Sequence, residues 1–237
     1  MDVLIIGDGN FSFSRSLLSH SEIGYITATS YDTEEELLKK YSDAASIIEV
    51  LRLSGSATVL HGIDCTQLPI HFEERAFCRA IFMHPLIQLS AERPSVIPEP
   101  AVENRIMLLQ FLLGCEKVLK RPFGEVRITI KNVAPYTWWR THTLSEWTKD
   151  LVFSHTELFE ESAHPGYEPR NVGKGQSFAP TAATTFVFRF KEMVQKSIQP
   201  SSMVCLICEK PFTSQQDMLI HQQSKIHRQR QSLENKF

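Results

Sequence analysis

The chain has 237 residues, 42% hydrophobic and 22% charged, and its 25 Lys+Arg against 27 Asp+Glu leave a formal charge of −2. That balance suits a globular protein with one sizeable core and excludes disorder as the dominant state. No stretch approaches the ~20 apolar residues of a spanning helix, Met1 leads straight into Val3-Leu4-Ile5-Ile6 without a basic leader, and three of five cysteines (Cys65, Cys78, Cys115) lie scattered in apolar segments. The expectation is a protein of a reducing compartment, neither secreted nor membrane-bound.

Residues 2–6 form a short apolar run stopped by Gly7-Asp8-Gly9-Asn10, which reads as a buried strand entering a glycine turn. A helix is predicted over about 12–20, a strand over 25–30 ending at Tyr31-Asp32, and a helix over 33–53 that starts at Thr33 with three acids in its first turn. Further strands are predicted over 57–63, ending at Asp64, and over 76–83, running into His84-Pro85. Residues 90–100 carry three prolines and read as a loop; 101–120 have apolar residues at helical spacing; 127–131 read as a fifth strand. Two late β-like runs, 151–159 and 184–190, flank a Gly/Pro-containing segment with no obvious helix, so they are expected to be antiparallel. The alternation argues for an α/β fold with a seven-stranded mixed sheet, whose ligands sit at the carboxyl ends of the parallel strands. The expected division is a first domain over 1–194, a linker over 195–203 and a small module over 204–237.

Gly7 and Gly9 let backbone approach a ligand closely, yet Phe11-Ser12 stand where a dinucleotide fingerprint needs its third glycine. Asp32, 25 residues beyond Gly7 at a strand end, is placed to accept the hydroxyl protons of a ribose, and Asp64 similarly to address an adenine amino group. Each acid could equally be a helix N-cap. Three such sites along one sheet edge point to an adenosyl ligand, and the lack of a pyrophosphate loop or P-loop favours S-adenosylmethionine.

Gly7-Asp8-Gly9-Asn10-Phe11-Ser12-Phe13-Ser14, then Ala28-Thr29-Ser30-Tyr31-Asp32, Asn104-Arg105, residues 124–131 and Pro135-Tyr136-x-x-Trp139 resemble the eukaryotic ribosomal RNA (uracil-N3) methyltransferases over roughly residues 1–190. The resemblance implies a Rossmann-like methyltransferase sheet, S-adenosylmethionine held by the Gly7–Phe11 loop (Gly7, Asp8, Gly9, Asn10, Phe11) and Asp32, and a uridine of large-subunit rRNA as substrate. The departure lies after the fourth strand, where family members carry Asn-Phe-Pro-His and this chain has Phe82-Met83-His84-Pro85. Catalysis then either uses a rearranged site or has been lost. Removing the imide proton of uracil N3 calls for a positioned base, and His84 is the nearby candidate, against a plain packing role beside Pro85. Tyr136, in a polar turn, is the aromatic best placed to stack a flipped base.

Cys205-x2-Cys208-x12-His221-x5-His227 has the ligand types and spacing of a tetrahedral zinc site in a ββα finger. Its five-residue histidine gap resembles that of U1-like and matrin-type fingers, which implies structured RNA as partner. From 221 to 237, Lys225, Arg228, Arg230 and Lys236 face one acid, Glu234; between 117 and 140 there are six basic residues, including Lys131 and Arg140, and Arg170 and Lys174 lie among glycines. These read as phosphate-binding surfaces, or in part as a solvated charged face. The expectation is an S-adenosylmethionine-dependent RNA methyltransferase carrying Zn2+, acting on rRNA or pre-ribosomal particles in the nucleolus, with the cytoplasm as alternative. The competing expectation is an inactive member serving as an RNA-binding or ribosome-assembly factor, its finger free for protein contacts.

Overall fold

The computed structural model describes residues 1–87, 100–170, 182–194, 203–205, 207–208, 211–212 and 215–235. A seven-stranded sheet comprises β1 (Asp2–Ile6), β2 (Tyr25–Thr29), β3 (Ala57–Leu60), β4 (Arg79–Met83), β5 (Glu125–Lys131), β6 (Leu151–Leu158) and β7 (Ala183–Phe190). Its order is β3-β2-β1-β4-β5-β7-β6. The first five strands are parallel, and β7 is antiparallel to both neighbours, as the absence of a crossover helix between the last two strands led us to expect. Among the described residues no helix is long and apolar enough to cross a membrane.

Helices α1 (Ser12–Ser16), α2 (Glu34–Lys40), α3 (Ala44–Leu53), α4 (Leu68–His71) and α5 (Pro100–Val118) cover the sheet. The unbroken apolar run of β1 is explained by burial on both sides. Val3 and Ile5 join Leu37, Ile47 and Leu51 of α2 and α3 in one cluster, whereas Leu4 and Ile6 join Leu108, Phe111 and Cys115 of α5 in the other. Each such side chain contributes about 1.5–3 kcal/mol on leaving water.

The single helix predicted over 33–53 is two. Thr33 and Glu36 form a reciprocal capping box that starts α2, but Tyr41 is extended (φ −126°, ψ 105°) and ends it. The interruption buries the Tyr41 ring and frees Asp43, whose Oδ2 accepts from Asn10 Nδ2 at 2.8 Å and Arg170 Nη2 at 2.5 Å. Tertiary contacts with the glycine turn thus override local helix propensity.

The small module contributes β8 (Met203–Val204), β9 (Pro211–Phe212), α6 (Gln215–Gln222) and α7 (Lys225–Glu234), the ββα order expected with one further helix. Its last helix reaches into the first domain, with Leu233 buried in the α5 cluster.

The buried edge of β5 is held by charge. Glu125, 6% exposed, pairs with Arg79 at 3.1 Å, Arg127 at 3.2 Å and Arg189 at 2.6 Å. Replacing it by alanine leaves three cations around a vacated acceptor. Because the arginines are partly solvated, Glu125→Ala should destabilise by about 2–3 kcal/mol, below the full cost of breaking a buried pair. A lowered denaturation midpoint at unchanged slope is the expected reading.

Candidate functional site

The strand order reverses between β2-β1 and β4-β5, and the crevice at this point is where open α/β sheets bind ligands. At the end of β1 the chain turns through three left-handed residues, Gly7 (φ 62°), Gly9 (φ 56°) and Phe11 (φ 66°). A Cβ on Gly7 would meet the Phe82 ring at 3.2 Å, so both conformation and space call for glycine. Phe11 accepts its strained backbone because its ring is fully buried, edge-on to His61 at 5.5 Å.

Polar groups inside the turn fix its path. Asp8 N–H donates to Thr29 carbonyl at 2.9 Å, and the Asp8 carboxylate accepts from the Ser14 amide at 2.7 Å and from the Ser14 hydroxyl. Asn10 Oδ1 accepts from the Ser12 amide at 3.2 Å. Burial dominates at Asp8 and raises its pKa to about 7, despite the opposing Ser14 hydrogen bonds.

Beside the turn lies a cavity of about 650 Å³, walled by Gly7, Asp8 and Gly9, Asp32, Ile63 to Thr66, Phe82 to Ile87, four residues of α5 and Tyr167 to Arg170. Of the predicted site residues, it collects Gly7, Asp8, Gly9, Asp32, Asp64, His84 and Arg170. Asn10 and Phe11 do not line it; they are buried behind the turn, where they hold it. Asp64 lines the wall, but Oδ1 of its carboxylate caps the following 3-10 turn, accepting from Thr66 N–H at 2.8 Å and Thr66 Oγ1 at 2.7 Å. Its capping role therefore accompanies any ligand role. Asp32 Oδ2 receives Lys40 Nζ at 2.6 Å, and both side chains are about a quarter exposed or less. Lys40, Tyr41 and the α5 residues Glu103, Ile106, Met107 and Gln110 are wall residues that sequence reasoning missed.

His84 follows β4 at φ 48°, its N–H donating to the Thr129 carbonyl at 2.8 Å. Burial first, then the charge of Lys131, lower its pKa to about 4, so the ring is neutral at pH 7. Lys131 lies 5.7 Å from the Tyr136 ring centre, and Tyr136 stands edge-on to Trp139 at 5.2 Å. Lys131, Tyr136 and His84 are thus brought to one end of β4 and β5. Arg140 is not an open RNA contact: 8% exposed, it pairs with Glu234 at 2.9 Å. Glu234 also pairs with the fully buried Arg105. Arg170 pairs with Asp43 and with Glu168 at 2.9 Å, bracing the cavity wall. Lys174 lies outside the described residues.

The four predicted metal ligands converge: atoms of Cys205, Cys208, His221 and His227 lie within 4.8 Å of one another. The two thiol sulfurs stand 3.4 and 3.6 Å from His227 Nδ1. A tetrahedron with zinc–ligand bonds of 2.0–2.3 Å has edges of about 3.5 Å, so the set fits one small cation. Arg230, predicted to meet RNA, donates to the Cys208 carbonyl at 3.3 Å, while Lys225 and Arg228 are exposed.

Residues 4–171 match the family model described as rRNA (uridine-N3-)-methyltransferase BTM5-like. The chain belongs to this BMT5-like family. Residues 204–228 match a second model, described as zinc-finger double-stranded RNA-binding. Two Arabidopsis thaliana proteins are similar to this BMT5-like chain. Heavy metal-associated isoprenylated plant protein 41 is 32% identical over 82% of this chain and 38% of its own length. Uncharacterized protein At4g26485 is 31% identical over 70% of this chain and 79% of its own. The chain therefore spans well under half of the first of these relatives. A 30S ribosomal A1408 methyltransferase from an uncultured bacterium superposes with a TM-score of 0.48 at 11% identity, over 80% of this chain and 87% of that one.

The raised pKa of Asp8 has a signed consequence. The folded state holds a proton that the unfolded state releases between about pH 4 and 7, so Asp8 costs stability as pH rises through that window. Asparagine does not titrate. Asp8→Asn should gain stability relative to wild type from pH 4 to 7, with a level difference above; a parallel pair of denaturation curves across this range would contradict it.

Proposed function

We propose that the chain is an S-adenosylmethionine-dependent methyltransferase of ribosomal RNA acting at uridine N3, aided by a zinc-loaded finger that grips structured RNA. The observation carrying this reading is the convergence on one cavity, in a BMT5-like chain, of the glycine turn, Asp32 and His84. The cavity fits the donor: about 650 Å³ falls inside the span of small-molecule sites, roughly 300–1,000 Å³. Its wall offers Asp32 for ribose hydroxyls and Ile63 and Phe82 for a purine face. S-adenosylmethionine, when bound, supplies an electrophilic methyl group on a sulfonium.

The protein's part is placement and proton handling. N3 of uracil loses its hydrogen as it gains the methyl group. His84, kept neutral by burial, has a lone pair available for that hydrogen at physiological pH. Lys131, its own pKa lowered by desolvation, adds a cation on the same side that favours an anionic imide. Tyr136 presents a ring for the flipped base. The tetrad Cys205, Cys208, His221 and His227 would hold zinc, with exposed Lys225 and Arg228 facing phosphates. A ribosomal substrate would place the protein in the nucleolus.

Calorimetry with S-adenosylmethionine tests the donor site. Asp32→Ala should weaken binding by about 1.5–3 kcal/mol, the worth of a hydrogen bond to a charged group; Asp32→Asn should weaken it less. His84→Gln should leave donor binding intact and slow methyl incorporation into rRNA by about 10²–10⁴-fold. Donor binding without transfer to any rRNA would overturn the enzymatic reading and leave an RNA-binding factor.

A further inference from the structure

Helix α7 carries different contacts at its two ends. At the first turn Ser224 Oγ accepts from His227 N–H at 3.2 Å, the His227 ring is buried among the metal ligands, and Arg230 binds the Cys208 carbonyl. At the last turn Leu233, 3% exposed, enters the core cluster of the first domain. Glu234 there divides its carboxylate between Arg105, on Oε1, and Arg140, on Oε2 at 2.9 Å. Six residues, about 9 Å of helix, separate His227 from Leu233, so one short rod joins metal centre and core.

Arg105 lies on α5 and also donates from Nη2 to Thr143 Oγ1 at 3.3 Å. Its neighbours on α5 build the cavity: Asn104 Oδ1 accepts from the Ile87 amide at 3.0 Å, while Ile106 and Met107 form wall. A helix of ten residues is marginal by itself in water, and a C2H2 finger depends on metal for its fold. Loss of the metal removes the ligand that orders the start of α7. It thereby loosens a carboxylate that pairs with a buried guanidinium on α5.

We propose that metal occupancy of the finger is coupled to the cavity wall through α7, with Glu234 the positioning residue that transmits it to Arg105 and α5. This rests on the zinc and donor readings above. The test uses the full chain, with zinc content measured directly, α5 amide exchange followed with zinc and with chelator, and S-adenosylmethionine affinity taken in both states. In wild type, chelation should speed α5 exchange and weaken the donor by about 5–150-fold, the usual range for coupled sites.

Glu234→Gln should show fast α5 exchange whether or not zinc is bound, and reciprocity requires its zinc affinity to fall too. If Glu234→Gln does not fold, Arg140→Gln weakens the same clasp from its less buried side and should act in the same direction. Zinc uptake with α5 exchange and donor affinity unchanged overturns the coupling alone, as does a Glu234→Gln chain that keeps the full response to zinc. A chain that takes up no zinc overturns the metal reading and the coupling together. Zinc-dependent α5 exchange without any donor binding overturns the cavity reading and the transmission to it.

Discussion

Everything at the ligand edge of this fold depends on a backbone that turns left-handed three times in five residues, at Gly7, Gly9 and Phe11. A non-glycine residue in this region costs roughly 1–2 kcal/mol, and Phe11 offsets that cost by burying its ring completely. The turn is then tied to its surroundings in two directions: Asp8 reaches forward to Ser14 of α1, and Asn10 reaches sideways to Asp43. Those ties fix the turn where Gly7, Asp8 and Gly9 line the cavity. The break between α2 and α3 belongs to the same arrangement, since a continuous helix would carry Asp43 away from Asn10 and Arg170.

How much of this was legible follows from the range of the interactions involved. The sheet class and the apolar runs were readable because β1, β2, β4 and β5 are largely buried and each gives way to glycine or polar residues. The metal tetrad was readable because ligand chemistry fixes residue type and spacing together, and the structure brings the four side chains to one point. Arg140 was misread because its partner Glu234 lies 94 residues later, and a basic residue near an active edge looks like an RNA contact until that carboxylate is seen. Glu103, Ile106 and Met107 were missed for a related reason: on a helix rich in apolar residues, nothing local separates those facing a cavity from those facing core. Asp64 shows the opposite case: the N-cap reading holds, and the same residue also lines the cavity.

Two clusters of paired charge brace the first domain. Glu125 draws Arg79, Arg127 and Arg189 to the start of β5, and Glu234 draws Arg105 and Arg140 to α5. The two clusters differ in kind. The first joins strands of one sheet and is complete within the first domain; the second is completed by a residue of the small module. A guanidinium buried as fully as that of Arg105 needs its carboxylate, so the helix that carries Glu234 is part of the first domain's electrostatics as well as of the finger.

The altered string after β4 can be weighed on the same physical footing. Order of residues matters less to a methyl transfer than where a proton acceptor sits, and His84 reaches the cavity from a left-handed backbone at φ 48°, immediately before Pro85. Such a conformation is disfavoured for histidine, and is held by the hydrogen bond that the His84 N–H donates to the Thr129 carbonyl and by edge-on packing against Phe159 at 6.4 Å. Strain of this sort persists where surrounding contacts over-determine it, and it gathers at functional sites. Lys131 stands close enough to lower the basicity of the imidazole, and its ammonium lies 5.7 Å from the Tyr136 ring centre. The rearranged string thus sets a neutral imidazole in the cavity wall, beside the charge of Lys131.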